Sequence, residues 1–414
     1  VEYDALAFPH TDKGVLPRRT WAYGSQNREC HIATIGTRDD RGNLGLCMRR
    51  LALRSRKDPM PQLQYFDLFC QLLTIPCPSG REERMAAFLS RQIEDLGAEP
   101  EHDAHGNLWV SLQGTTGDST IALASHMDEI GMVVAAIEDD GSLRVQRTGG
   151  LHPWKIGEGP VTLVTDGDSL VPAHLSFGSG HTNDPADPIS QFATGQRGIT
   201  WRDTRLLTGL TPDQLRERGV RIGTCAVRAA ETRGPNIFGP EDDPLVSAWL
   251  FDNRGGSLVL IELLRRLKQN QMQVKSNLRL CFMVQEETGL LGAKGWAHRN
   301  QVDTFIAVDS TPMPAETQLT LDGRPATWSR DRGAHFHQGL IGELAAAATE
   351  AGTDLQYAVY SAAASDATGV LQVGAAPRCA TIGYPRENSH GYEVVRWSVF
   401  QQLIDTLFAY VQRA

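Results

Sequence analysis

Six acidic and imidazole side chains of this 414-residue chain have the types and the surroundings needed to bind metal ions. They are His126, Asp252, Glu286, Glu287, Asp309 and His390; His126, Glu286, Glu287 and Asp309 fall just beyond short apolar segments, as does Asp128, and His390 lies in the loop after another. Histidine nitrogen and carboxylate oxygen suit zinc, cobalt or manganese. Two metal ions about 3.5–4 Å apart need a bridging carboxylate, further ligands on each ion and a base beside the shared water. Three carboxylates and two histidines would supply the ligands, and one further carboxylate the base.

Each of these residues alone has a simpler structural explanation. His126 would more often be a hydrogen-bonded surface histidine, and Asp252 would be a helix N-cap. The adjacent glutamates would be a solvated loop pair, while Asp309 and His390 would be turn residues. Their joint occurrence is what favours a metal site.

Four short apolar segments precede these residues and are predicted to form strands buried on both faces. They cover residues 120–124, 278–284, 304–308 and 379–383. Helical apolar spacing occurs over residues 257–268, 339–351 and 399–411. This alternation predicts a largely parallel sheet, in which binding sites form beyond the carboxyl ends of the strands. The site residues are therefore expected to meet in one cleft.

A further helix is predicted to begin near residue 82. Ser79 precedes Glu82 by three residues, which is the spacing of a capping box. Gly97 follows the apolar pattern and is predicted to end this helix. We therefore expect the Ser79 side chain to cap it.

The chain between the first histidine and Asp252 has a different texture. Residues 132–247 contain short alternating strands, many glycines and little helix, which is typical of a small β-barrel. Because the apolar strands resume afterwards, residues 60–131 and 248–414 are expected to form one catalytic domain interrupted by the barrel. Residues 1–59 lack sustained periodicity, and two interpretations stay open: a poorly structured extension, or an arm that packs in an oligomer.

Composition argues against several other classes of function. The net charge of −9 disfavours nucleic acid as a partner. No apolar run approaches the roughly 20 residues of a membrane helix, and no secretory signal is evident, so no membrane partner is expected. The seven cysteines are scattered and never spaced C-x-x-C, which argues against a disulfide framework and a zinc knuckle. A reducing cytoplasm is the expected compartment.

Five motifs of the chain resemble those of the M42 metalloaminopeptidases. They are Ser125-His126-Met127-Asp128-Glu129-Ile130-Gly131, Phe251-Asp252-Asn253-Arg254-Gly255-Gly256, Val284-Gln285-Glu286-Glu287-Thr288-Gly289, Ala307-Val308-Asp309 and Ser389-His390-Gly391-Tyr392-Glu393. The predicted barrel falls between the first histidine and the second motif, as in M42 enzymes, whereas in the related M20 enzymes it falls later. The resemblance covers the chain from about residue 63 onward.

The resemblance implies a role for each metal-binding candidate. Asp252 would bridge two divalent ions, with zinc expected first and cobalt or manganese as alternatives. Glu287 and His390 would complete the coordination of one ion. His126 and Asp309 would complete that of the other.

The resemblance also implies roles around the ions. Glu286 would be the general base, and Asp128 would hydrogen-bond His126 and fix its tautomer. Asp366 would contact the substrate. The peptide bond after Asp252 would be cis, as in other family members.

The implied fold is a three-layer α/β/α zinc-peptidase-like domain with an inserted, PDZ-like small β-barrel. The implied activity is removal of N-terminal residues from short peptides by a homo-oligomer, which is built from dimers and reaches dodecamers in this family. Two departures bear on it: Asn253 stands where the family usually has Asp, and Ser365-Asp366-Ala367 stands where it usually has Gly-Thr-Asp-Ala. The second departure leaves the substrate preference open. Ser389-His390-Gly391-Tyr392-Glu393 resembles a bacterial M42 subgroup associated with a compatible-solute dipeptide pathway, so the alternative is a deacylase or dipeptidase that acts on a modified small peptide.

Overall fold

The structure is a computed structural model that describes residues 63–414, so the extension expected over residues 1–59 lies outside the described residues. Over the described part, the chain alternates strands and helices on both sides of a strand-rich middle segment. No helix among residues 63–414 has the length and apolar character needed to cross a membrane.

The described residues form 17 strands. In chain order they are β1 (Pro100–His102), β2 (Leu108–Leu112), β3 (Thr120–His126), β4 (Gly131–Ile137), β5 (Leu143–Thr148), β6 (Gly159–Val164), β7 (Leu170–Ser176), β8 (Arg205–Leu207), β9 (Cys225–Arg228), β10 (Asn236–Phe238), β11 (Leu245–Trp249), β12 (Asn277–Met283), β13 (Thr304–Pro312), β14 (Ala326–Arg330), β15 (Gln356–Val359), β16 (Arg378–Arg386) and β17 (Tyr392–Arg396).

The same residues form ten α-helices. They are α1 (Phe66–Thr74), α2 (Glu83–Asp95), α3 (Pro153–Ile156), α4 (Pro188–Ala193), α5 (Pro212–Glu217), α6 (Phe251–Gln269), α7 (Leu291–Arg299), α8 (Gln338–Glu350), α9 (Asp366–Gln372) and α10 (Ser398–Arg413). The three helices expected from apolar spacing correspond to α6, α8 and α10. The helix expected near residue 82 corresponds to α2, but no side chain caps its first turn.

An eight-stranded mixed sheet carries the main core, in the order β1-β2-β12-β3-β13-β16-β14-β15. Its four central strands, β12, β3, β13 and β16, run parallel, and they are the four strands expected from the apolar segments. Nearly every residue of these strands is buried, which explains why their sequences are apolar runs without alternation. Parallel pairing brings their carboxyl ends to one edge of the sheet.

The segment between the first and second motifs contains a closed six-stranded barrel, in the order β4-β5-β8-β7-β6-β9. Its interior is a separate apolar core that includes Met132, Leu143, Leu163 and Ala226. The described residues therefore form a mixed α/β fold with a small closed β-barrel, which confirms these two features of the fold predicted from the sequence.

A three-stranded sheet, β10-β11-β17, connects the return from the barrel with the end of the chain. β11 and β17 pair antiparallel, from Leu245 opposite Arg396 to Trp249 opposite Tyr392. Asp252 follows β11 by three residues, and His390 precedes β17 by two. This pairing therefore brings together two site residues that lie far apart in the sequence.

Candidate active site

His126 ends β3, in which every residue from Ile121 onward is buried. Its Nε2 lies 3.1 Å from Asp252 Oδ1 and 3.8 Å from Asp309 Oδ1. Its Nδ1 lies 3.2 Å from the backbone oxygen of Asp128 and 3.4 Å from the Oδ1 of the same residue. One ring nitrogen thus faces two carboxylates while Asp128 holds the other, which is the arrangement that orients a ligand histidine.

Asp252 lies in an irregular first turn of α6. Asp252 and Asn253 have non-helical backbone angles, and the peptide bond between them is cis. Asn253 Oδ1 accepts a hydrogen bond from the backbone N–H of Gly256 at 2.9 Å, so Asn253 provides the capping contact that the simpler explanation gave to Asp252. The Asp252 carboxylate is left to face the cleft, with Oδ2 3.6 Å from His390 Nε2.

Glu286 and Glu287 lie in the turn after β12, and Asp128 holds this turn in place. The backbone N–H groups of Glu286 and Glu287 donate to Asp128 Oδ1 at 3.0 Å and Oδ2 at 3.2 Å. The Ser79 hydroxyl donates a hydrogen bond to the same Asp128 Oδ2 at 2.6 Å. The expected capping box is therefore wrong, because the buried Asp128 carboxylate accepts this hydroxyl and Ser79 supports the site. Glu82 accepts from the backbone amide just before Glu286, at 3.1 Å.

His390 reaches the cleft from the loop between β16 and β17, with a left-handed backbone (φ 58°). Its Nδ1 lies 3.1 Å from the backbone oxygen of Gly150, in the segment between β5 and α3. Its Nε2 lies 3.9 Å from Glu287 Oε2. A Cβ built on Gly150 would lie 2.5 Å from two atoms of the His390 ring, so only glycine permits this approach.

A buried ion pair that the motifs did not reveal supports Asp252 and His390. Arg386 Nη2 donates to Asp252 Oδ2 at 2.5 Å, and Arg386 Nη1 donates to Glu393. Glu393 in turn accepts from the backbone N–H of Asp252 at 2.8 Å and from that of His390 at 3.1 Å. Glu393 belongs to a recognised motif, but a single arginine near the end of a strand carries no signal of its own.

The candidate ligands form two triads that share one carboxylate. The first triad is His126, Asp252 and Asp309, and the second is Asp252, Glu287 and His390, each with its ligand atoms within 4.8 Å of one another. The ligand atoms of a third group, His126, Glu286 and Glu287, also lie within 4.8 Å of one another. Glu286 is therefore close to the ligand atoms of both triads. Imidazole nitrogens and carboxylate oxygens at such separations fit zinc and similar divalent ions.

The charges of the cluster are strongly coupled. Burial raises the pKa of Glu287 and that of Asp309 to about 7. Burial also raises the pKa of Glu286 well above its usual range, and the neighbouring Asp309 adds to this effect. Burial acts to raise the pKa of Asp252 as well, but Arg386 and the two histidines together hold it well below its usual range. The shared carboxylate is therefore ionised, whereas its neighbours need a cation to ionise fully near neutral pH.

The triads lie at the bottom of a cleft of about 680 Å³. The main domain contributes Trp328, Tyr360 and the exposed Arg332 to its lining. The barrel contributes Gly150 and Lys155, which lie between β5 and β6. A volume of this order accommodates a short peptide segment.

The structure brings all six metal-site candidates together, and Asp128 lies directly beside them. Asp366 is different: it is 2% exposed at the start of α9, and its Oδ1 has no hydrogen-bond partner. Ala364, two residues earlier, lines the cleft. Burial raises the pKa of Asp366 to about 8. Its expected contact with substrate stays a prediction.

Comparison with known proteins gives a consistent result. The Glutamyl aminopeptidase of Lactococcus lactis subsp. cremoris is 31% identical over 265 residues, which cover 60% of this chain and 67% of the relative. The Lysyl aminopeptidase of Pyrococcus furiosus is 26% identical over 255 residues, which cover 59% and 66%. Among solved structures, the Pyrococcus horikoshii TET1 peptidase, which assembles into a tetrahedron or an octahedral shell, superposes with a TM-score of 0.73 at 24% identity over 84% of this chain and 100% of that chain.

The family model for M42 glutamyl aminopeptidases matches residues 106–405. The matched region contains all six metal-site candidates, the barrel and the strands that carry the site. This chain belongs to the M42 peptidase family.

Proposed function

We propose that this chain is a dinuclear metal-dependent aminopeptidase that removes N-terminal residues from short peptides. The observation that carries the proposal is the position of Asp252, whose two carboxylate oxygens face different histidines: Oδ1 lies 3.1 Å from His126 Nε2, and Oδ2 lies 3.6 Å from His390 Nε2. One carboxylate shared by two ligand sets is what a pair of bridged cations requires. Family membership supports the peptidase activity.

The two cations would be held by the two triads. His126, Asp252 and Asp309 form the more buried position, and Asp252, Glu287 and His390 form the position nearer the barrel. Zinc fits the donor set best, and cobalt and manganese are alternatives. When bound, the cations supply Lewis acidity and lower the pKa of water toward neutrality.

Glu286 is proposed as the general base and Asp128 as the residue that positions it. Glu286 is buried, and its backbone N–H is fixed by Asp128, so its carboxylate is held beside both triads. A carboxylate with a raised pKa accepts a proton from the attacking water and returns it to the leaving amine. Burial of the site limits competing water, and a free substrate amine would be held by the carboxylates and cations, which restricts cleavage to the first residue.

We also propose a domain organisation for the chain. Residues 60–131 and 248–414 form a three-layer α/β/α catalytic domain, and residues 132–247 form an inserted, PDZ-like barrel. In support, α6 contacts β3 and β13 and packs against α10, while α9 contacts β3, β13 and β16 and packs against α7. The tetrahedral and octahedral shells named for the P. horikoshii relative support a homo-oligomer, which light scattering would measure.

The proposed activity is tested with the full chain, stripped of metal and reloaded with zinc, cobalt or manganese. The substrates are aminoacyl p-nitroanilides and di- and tripeptides, each compared with its Nα-acetylated form. We expect hydrolysis of the free-amine substrates and none of the acetylated ones. Cleavage of acetylated substrates alone would instead support the deacylase alternative, and no cleavage with any metal would show that the proposal is wrong.

A further inference from the structure

The segment from Gly149 to α3 enters the cleft from the barrel side and rests on the second triad. The backbone oxygen of Gly150 contacts His390 Nδ1 at 3.1 Å, and a Cβ built on Gly149 would lie 3.3 Å from the Cβ of Glu287. Lys155, in α3, lines the same cleft. The barrel thus contributes one cation to the wall of the site.

The Lys155 side chain is held against this wall. It is half-buried, and its Cδ lies 3.3 Å from the position that a Cβ of Gly391 would occupy. Its Nζ lies 5.1 Å from the centre of the Trp154 ring, within the range of a cation–π contact. Because the aliphatic part is packed, less side-chain entropy is lost when the ammonium group binds a ligand.

Lys155 differs from the buried arginines of the described residues because it is not paired with a carboxylate. Arg386 is paired with Asp252 and Glu393, and Arg254 is paired with Glu129. By contrast, no ion pair between residues 63–414 involves Lys155. An ammonium group on the wall of a binding cleft, without a carboxylate from the protein, is available to an anionic group of the substrate.

The position of Lys155 suits a carboxylate near the amino end of a peptide. Lys155 packs beside Gly391, the residue after His390, and each extended residue of a peptide spans about 3.3–3.6 Å. A peptide whose amine is held at the triads and whose chain runs toward Gly391 would place its second or third residue near this ammonium group. We propose that Lys155 binds a substrate carboxylate, so that the enzyme prefers dipeptides with a free C-terminus or peptides with an acidic residue next to the first. This inference rests on the proposed aminopeptidase function.

The main domain contributes a second cation to the cleft. Arg332 also lines the cleft, but it is exposed, and its backbone N–H donates to Ala363 on the side of Tyr360. A carboxylate recognised by Arg332 would come from another part of the substrate. Separate substitution of the two cations distinguishes these positions.

The test compares Lys155→Met with the wild-type enzyme, both as full chains reloaded with the same metal. All substrates begin with the residue that wild type cleaves best, and they form two pairs. The first pair is a dipeptide with a free C-terminus and the same dipeptide as its C-terminal amide. The second pair is a dipeptide amide with Glu in second position and the same amide with Gln there. We expect wild-type kcat/KM to be about fivefold higher for the carboxylate-bearing member of at least one pair, which is the size of a partly exposed ion pair. This ratio should fall to about one in Lys155→Met and should shrink with added salt in wild type.

Two controls make the result specific. Lys268→Met removes a lysine of α6 whose Nζ donates to the carbonyl of Gly97, and it should keep the wild-type ratio. A preference within the first substrate pair identifies the bound group as the C-terminal carboxylate, and a preference within the Glu/Gln pair identifies it as a side-chain carboxylate. Equal ratios in wild type and Lys155→Met, or loss of the preference in Arg332→Met alone, would overturn the assignment. Failure of wild type to cleave even a p-nitroanilide would count against the proposed function instead.

Discussion

At the scale of single residues, the site depends on which side chains are ionised and what holds them. Asp252 is surrounded by His126, His390 and Arg386, so it is the carboxylate that stays ionised without a cation. Burial and the neighbouring Asp309 raise the pKa of Glu286, so it has a higher affinity for a proton than Asp252 has. The opposite pKa shifts of these two buried carboxylates suit Asp252 to be the shared metal ligand and Glu286 to be the proton acceptor.

The role of Glu286 predicts a separation of activity from metal binding. Glu286→Gln removes the proton acceptor but keeps the shape of the side chain, so we expect kcat to fall by about a hundredfold or more. Metal content, measured by elemental analysis of the reloaded protein, should remain that of wild type. Loss of one metal equivalent would show that Glu286 is a ligand, and retention of turnover would remove it as the base.

The Arg386 pair predicts a large effect on stability. Arg386→Gln leaves the Glu393 and Asp252 carboxylates buried without their cation, and breaking such a pair costs about 3–5 kcal/mol. The matched control is Arg324→Gln, which breaks a half-exposed pair with Asp322 and should cost less than about 1 kcal/mol. Urea unfolding of the metal-free proteins measures both, and equal effects would contradict the prediction.

At the scale of elements, the barrel and the catalytic domain make close contact within the site, most tightly between Gly150 and His390. Gly150 lies between the barrel strands β5 and β6, and His390 belongs to the loop before β17. Because β17 pairs with β11, the strand that returns from the barrel, the position of this loop depends on the return strand as well. The barrel therefore helps to build the second triad.

This contact predicts the effect of one added methyl group. In Gly150→Ala the new Cβ would lie 2.5 Å from the His390 ring, so the ring must move away from its triad. We expect the variant to lose most binding at the second cation position and to keep the first, measured as metal equivalents after dialysis. Gly198→Ala is the control, because a Cβ built there has no heavy atom within 4 Å. Full retention of both equivalents would contradict this account.

Much of the site could be predicted from the sequence because strand ends are local signals. His126, Glu286 and Asp309 each follow an apolar run, and the parallel central strands bring those ends together. The remaining contacts depend on long-range packing. Ser79 has the spacing of a helix cap yet donates to Asp128, and Arg386 reaches Asp252 across 134 positions of sequence.

At the scale of the whole molecule, the buried cluster couples metal binding to stability and pH. In the metal-free protein, Asp309 and Asp366 have pKa values raised to about 7 and about 8, so the folded form holds protons that the unfolded form has released above about pH 4. Burial acts to lower the pKa of His390, but Glu287 and Asp252 raise it to about 9, so its contribution is also lost as pH rises through that value. The raised pKa values of the two carboxyl groups and of His390 therefore all predict that the free energy of unfolding decreases as pH rises.

We therefore expect the melting temperature of the metal-free protein to fall between about pH 6 and pH 9. Zinc binds the deprotonated ligands, so the increase in melting temperature on adding zinc should be larger at the alkaline end. Thermal unfolding with and without zinc at several pH values measures this. A metal-free protein that becomes more stable as pH rises would show that other groups dominate.

The strand order also has a consequence for how the enzyme is made. β16 comes near the end of the chain, yet it lies between β13 and β14 in the middle of the sheet, and His390 follows it. A nascent chain that has reached only residue 370 has an open sheet edge beside β13 and lacks the second triad. The site therefore forms only after translation has passed residue 390, and a protein that ends near residue 370 is expected to be inactive because the central sheet lacks β16 and its edge stays open.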